Sequence, residues 1–166
     1  MDQAVRAVVV TVSDRAAAGE YADTGGPLAA DLLAAQGFSA AVVVVPDEVD
    51  LIAQAIRGAV DDGADVVITT GGTGLSPRDV TPEATAPLID RPAPGIAEAV
   101  RRAGTVPTAA LSRGLAGVVG RTLVVNLAGS LGAVRDGLGA LEPLLGHAVS
   151  QLHGGDHPRH GSGEHG

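Results

Sequence analysis

Cysteine is absent from the 166-residue chain. That excludes disulfides, thiolate metal sites and a cysteine nucleophile. Lysine is absent as well, so all 11 basic residues are arginine. A P-loop lysine, a Schiff-base lysine and a Ser-x-x-Lys catalyst are therefore ruled out. The aromatics amount to Tyr21 and Phe38. Stacking platforms for bases are thus lacking, and the core has to be built from Val, Leu, Ile and Ala. No apolar run approaches the ~20 residues that span a bilayer. No charged-then-apolar leader with a cleavage site is visible, so a cytoplasmic location with no membrane partner is expected. The net charge of −8 speaks against a nucleic-acid partner, because neutralisation of phosphates supplies most non-specific affinity.

What is present reads as one domain over 1–153, followed by a Gly- and His-rich tail, 154–166, of disordered composition. Ala4 to Val12 is an apolar run broken by Arg6 and is expected to be a buried strand. Thr24 to Pro27 open a helix that stops at Gly37, and Phe38 to Val45 form a second strand. Val49, Ile52, Ile56 and Val60 share one face of a helix that stops at Gly63. Val66 to Thr70 form a third strand, so the order β-α-β-α-β predicts an α/β fold with a mostly parallel sheet. Short helices are expected over 82–89 and 94–103, with one or two edge strands between 109 and 119. A buried strand over 122–127 then leads into a long helix with Pro143 inside it and an end near Leu152.

The centre of the chain is Asp65 to Thr85. A β-branched run ends in Gly71-Gly72-Thr73-Gly74, and Thr81 reads as an N-cap with Pro82 at the first helical position. Strand, glycine turn and helix start together suit an anion. In an open α/β sheet, ligands bind outside the carboxyl ends of the strands. Those ends carry Thr11, Ser13, Asp14 and Arg15; Asp47 and Glu48; Gly71 to Gly74 with Arg78 and Asp79; and Asn126, Gly129 and Ser130. A dinucleotide fingerprint fails because Pro77 stands where a glycine is needed, and Gly74 to Arg78 is not a nucleophile elbow.

Each residue also has a plainer reading. The glycines serve positive φ alone; Asp47 caps the helix at Val49; Asp79 caps the next one; Asp14 closes an Asx turn. Asn126 is a buried amide that pins loops, and Arg78 and Arg113 are solvated. His147 falls on a helix surface. His153, His157, His160 and His165 lie in or beside the tail, and no metal site is built from them.

Thr11 to Arg15, Asp23 to Pro27, Val45 to Glu48, Thr69 to Thr85, Pro94-Gly95, Leu111 to Arg113 and Asn126 to Ser130 occur in order across nearly the whole chain. In these motifs the sequence resembles the bacterial Mog/MoaB proteins of molybdenum-cofactor synthesis, related to the G domains of plant Cnx and of gephyrin. The resemblance implies a three-layer α/β/α molybdopterin-binding fold of the MogA type, usually trimeric. It implies Mg²⁺-ATP-dependent adenylylation of molybdopterin with release of pyrophosphate, and a downstream molybdate-insertion protein as partner. It assigns Asp47 and Asp79 to catalysis and to the metal–nucleotide step. Gly71 to Gly74, Ser112, Arg113 and the Asn126 to Ser130 loop would line the substrate groove. Chemically, two carboxylates suit Mg²⁺, Arg78 or Arg113 suits phosphate, and Thr11, Ser13, Asp14 and Asn126 match a pterin. Two departures stand out: Ala128 where the family loop usually has proline, and Gly132 near a position often basic. They leave a non-catalytic molybdopterin-binding or carrier role of the MoaB type as the alternative.

Overall fold

The computed structural model describes residues 4–155. The tail beyond Gly155, with His157, His160 and His165, lies outside the described residues. β-Branched runs supply the sheet: β1 Arg6–Val12, β2 Ser39–Val45, β3 Val66–Thr70, β5 Ala116–Val119 and β6 Thr122–Leu127, with a two-residue β4 at Arg91–Pro92. The strand order is β2-β1-β3-β6-β5-β4. β2, β1, β3 and β6 are parallel, β5 runs antiparallel to β6, and β4 antiparallel to β5. The helices are α1 Asp14–Ala17, α2 Gly25–Ala35, α3 Val49–Asp61, α4 Thr81–Thr85, α5 Pro94–Ala103 and α6 Leu131–Leu152. Among the described residues no helix is long and apolar enough to cross a membrane.

Side-chain alternation along the strands divides the core in two. Val9, Ile68 and Val125 face α2, α5 and α6 through Leu33, Ala97 and Leu138, whereas Val10, Val67 and Val124 face α3 and α4 through Ile52, Ile56 and Ala84. This is the expected three-layer arrangement, because each strand shows alternate side chains to opposite faces. Each fully buried Leu or Ile contributes roughly 1.5–3 kcal/mol of transfer free energy. Gly137 sits inside α6 at a known cost in helix propensity. A β carbon there would come within 2.7 Å of Leu127 Cδ2, so the glycine is what lets α6 lie close on β6.

The structure corrects several boundaries. β1 starts at Arg6 rather than Ala4, and the short helix α1 follows it, whose N-cap Ser13 accepts from the Ala16 N–H. Of the one or two edge strands expected between 109 and 119, one forms, β5, and it is not at the edge: β4 covers it, through Asp90 N–H to Val118 O and Ala93 N–H to Ala116 O. Those donors flank Pro92, which has none, as fits an edge strand. α6 runs unbroken through Pro143. Thr81 is not the N-cap: α4 begins at Thr81 itself, and its hydroxyl donates to Gly71 O at 2.9 Å.

Candidate functional site

The sheet fixes where a ligand can enter. β1 is followed by a crossover to β2, and β3 by one on the other side. Beyond their ends the Ser13 N–H donates to Val45 O, while the Gly71 N–H donates to Leu127 O. The two continuations diverge, and a crevice opens at this switch point. Gly71 and Gly72 have φ of 93° and 69°, a region in which only glycine is unstrained. A β carbon on Gly71 would lie 2.5 Å from Val12 O, and one on Gly129 would lie 3.1 Å from Gly71 Cα. The β1, β3 and β6 loops therefore meet backbone to backbone.

On the α2 side is a polar cavity of about 190 Å³, lined by Thr11, Ser13, Tyr21, Thr24, Gly71 and Gly129 among others. Asp23 shapes it: Oδ1 accepts from the Gly26 N–H and Oδ2 from the Thr11 hydroxyl. Tyr21 is 52% exposed, and its hydroxyl lies 3.1 Å from Ser13 Oγ. Neither residue is among the site candidates the sequence offers. The signal for Asp23 was an Asx residue three positions before Gly26, and for Tyr21 its being one of two aromatics in the chain.

On the α3 side lie the charges. Asp14 and Asp47 bracket one another: the Asp14 N–H donates to Asp47 Oδ2 and the Asp47 N–H to Asp14 Oδ1, both at 2.9 Å. Arg78 donates to both Asp14 oxygens. Asp47 Oδ1 would stand 3.3 Å from a Gly72 β carbon, and Asp79 Oδ2 2.8 Å from one on Gly74. The two carboxylates thus lie against alternate glycines of one loop. The N–H groups of Gly72, Thr73 and Gly74 have no acceptor among the described residues.

Several residues named from the sequence are engaged by the protein's own groups. Asn126 is 3% exposed. Its Nδ2 donates to Thr69 and Thr85 Oγ1, and its Oδ1 accepts from the Leu115 N–H. Of the two readings of Asn126, this geometry matches the loop pin. The Arg113 side chain is 37% exposed, and its guanidinium is engaged by the protein itself: Nε donates to Gly74 O, Nη2 to Asp79 O and Nη1 to Glu83. It is a strut under the glycine loop and Asp79. Ser112 donates to the buried Thr73 hydroxyl, and Ser130 caps α6 by accepting from the Ala133 N–H. Asp47 does not cap α3, whose N-cap is Glu48.

Asp14 ionises below the usual aspartate range, first because the Asp47 N–H donates to it and then because Arg78 does. Asp47 ionises above it, chiefly because burial disfavours its charge; the charges of Asp14 and Asp79 add to this. The two act oppositely on stability. The Asp14 contribution is present above the unfolded value of ~3.9 and is lost as pH falls through its lowered folded value. The Asp47 contribution is largest at low pH and declines as pH rises from ~3.9 through its raised value. A ¹³C-carboxyl titration should place Asp47 above the ordinary aspartate value and Asp14 below it. In Asp79→Asn the Asp47 midpoint should move down; an unmoved midpoint would contradict the coupling.

A family profile described as "Probable molybdopterin binding domain" matches residues 8–147. A molybdenum cofactor biosynthesis bifunctional protein of Synechococcus elongatus is 46% identical over 156 residues, covering 92% of this chain and 49% of that protein. The chain thus spans about half the length of that relative. A molybdopterin adenylyltransferase of Haemophilus influenzae is 40% identical, over 85% of this chain and 75% of its own. The crystal structure of a molybdopterin biosynthesis protein from Mycobacterium abscessus superposes with a TM-score of 0.86 at 51% identity, covering 90% of this chain and 97% of that one. The open switch-point crevice, the paired carboxylates on a glycine loop and these matches agree, and the chain belongs to the molybdopterin-binding-domain family of molybdenum cofactor biosynthesis.

Proposed function

We propose that this chain is a molybdopterin adenylyltransferase. The observation that carries the reading is that Asp47 and Asp79 lie against a glycine loop whose Gly72, Thr73 and Gly74 N–H groups have no acceptor among the described residues. In the reaction an oxygen of the terminal phosphate of molybdopterin bonds to the α-phosphorus of ATP. The Pα–O–Pβ bond breaks, and pyrophosphate leaves with the electron pair. Such transfers need positioning and charge neutralisation more than covalent help from the protein. The loop N–H groups supply donors without lysine, and Arg78 supplies a fork matched to phosphate.

Asp47 and Asp79 would hold Mg²⁺. The donor set fits: two hard carboxylates, one of them with its charge disfavoured until a cation arrives. Among the described residues no cluster of three or more candidate ligands forms a closed cage, and Mg²⁺ commonly uses one or two carboxylates plus substrate phosphates. When bound, the ion would neutralise polyphosphate charge. The α2-side cavity, with Thr11, Ser13 and Tyr21 at its wall, offers the pterin donors and acceptors.

We further propose a homotrimer located in the cytoplasm. Val42, Val43 and Val44 are exposed on the edge strand β2, and Val106 and Leu111 near the 3₁₀ segment Pro107–Leu111. Light scattering should give three times the chain mass, and a monomer would refute that assignment. The activity is tested by giving purified protein molybdopterin, ATP and Mg²⁺ and following pyrophosphate. Release that depends on molybdopterin is expected. Pterin binding without release would favour the carrier role suggested by Ala128 and Gly132.

A further inference from the structure

Arg78 points its guanidinium at an anion that the protein itself supplies. Nε donates to Asp14 Oδ2 at 3.0 Å, and Nη2 reaches Oδ1 at 3.0 Å and Oδ2 at 2.9 Å. A carboxylate held by the fork of an arginine occupies it as a phosphate would. The pair is open to solvent, with side chains 62% and 41% exposed. Exposed pairs of this kind contribute little to stability, so their exchange costs little.

We propose that Asp14 is an internal competitor for Arg78, and that polyphosphate binds by displacing the Asp14 carboxylate from this guanidinium. The proposal rests on the glycine loop being a polyphosphate site. Two features suit the exchange. Asp14 is retained without Arg78, because its Oδ1 accepts from the Asp47 N–H and its own N–H donates to Asp47 Oδ2. Arg78 sits in a closed turn in which the Asp79 N–H donates to Ser76 O and the Ser76 N–H to Asp79 Oδ2. The backbone at both ends of the pair is therefore fixed, and only the arginine side chain has to swing. Asp14 thereby sets affinity and selectivity. A weak monoanion has to displace a carboxylate already in place, whereas a polyanion that also reaches the N–H groups of Gly72 to Gly74 can do so.

The test is a double-mutant cycle read by calorimetry on the full chain, with pyrophosphate as probe, in chelator and at low salt. Asp14→Asn removes the charge while its Oδ1 still accepts from the Asp47 N–H. It should bind pyrophosphate about tenfold more tightly than the parent. Asp14→Ser, measured alongside, should shift in the same direction. Arg78→Gln should weaken binding, and in that background Asp14→Asn should change affinity less than about twofold. No tightening, or equal tightening without Arg78, would overturn the proposal; the second outcome would make Asp14 a source of general repulsion only. The adenylylation reading is judged separately. A coupled cycle without adenylylated product would leave the exchange standing and remove the enzyme, and product with a flat cycle would do the reverse.

Discussion

Asp79→Ala should lower kcat for adenylyl-molybdopterin formation by at least about 10²-fold, with KM changed much less. The expectation rests on where the carboxylate stands and on what survives its loss. Oδ2 abuts Gly74 and accepts from the Ser76 N–H at 3.1 Å. The turn is also closed by the Asp79 N–H donating to Ser76 O, and the Asp79 carbonyl is held by Arg113 Nη2. Both contacts use backbone atoms, so truncation removes charge and leaves the loop in place. Asp79→Asn keeps the acceptor for Ser76 and loses only the charge. It should be nearly as inactive as the alanine variant. A kcat within about threefold of the parent in either variant would remove Asp79 from the chemistry.

Asn126→Ala should give the largest loss of stability. The side chain bonds to Thr69, Thr85 and the Leu115 N–H on three different segments, and its loss strands Thr69 Oγ1 and the Leu115 N–H, while the Thr85 hydroxyl keeps its bond to Thr81 O. Each polar group stranded in a buried site costs about 1–3 kcal/mol, so a total of about 3 kcal/mol is expected. In a domain of this size that corresponds to a fall in Tm of roughly 6–12 °C. At temperatures below the transition, KM for molybdopterin should stay within about threefold of the parent, because the amide stands behind the crevice. Unchanged stability with a large rise in that KM would instead put Asn126 in contact with substrate.

How far the chain could be read in advance depended on the range of each interaction. The central strands were plain because their valines are consecutive in sequence and buried on both faces. α3 was plain because Ile52 and Ile56 recur at helical spacing on one face. β4 was not, since a two-residue strand with proline carries no periodicity. Thr81 before Pro82 has the local pattern of a cap, yet its hydroxyl belongs to Gly71 O, ten residues back, where tertiary contact outweighs the local preference. The same holds for the arginines. Their charge suggested phosphate, but the partners of Arg78 and Arg113 lie 64 and up to 39 positions away. Asp47 was legible as a carboxylate at a strand end; its bracket with Asp14 was not, because backbone donors 33 residues apart leave no pattern.

The central claim is that Asp47, Asp79 and the glycine loop serve transfer of an adenylyl group to molybdopterin. A single-turnover reaction with ATP labelled at the α-phosphorus, molybdopterin and Mg²⁺ tests it most directly. The account predicts label in a pterin product of the mass of adenylyl-molybdopterin, with unlabelled pyrophosphate released in equal amount. Label that stays in ATP while the pterin is bound, or that appears only in free AMP, would contradict it.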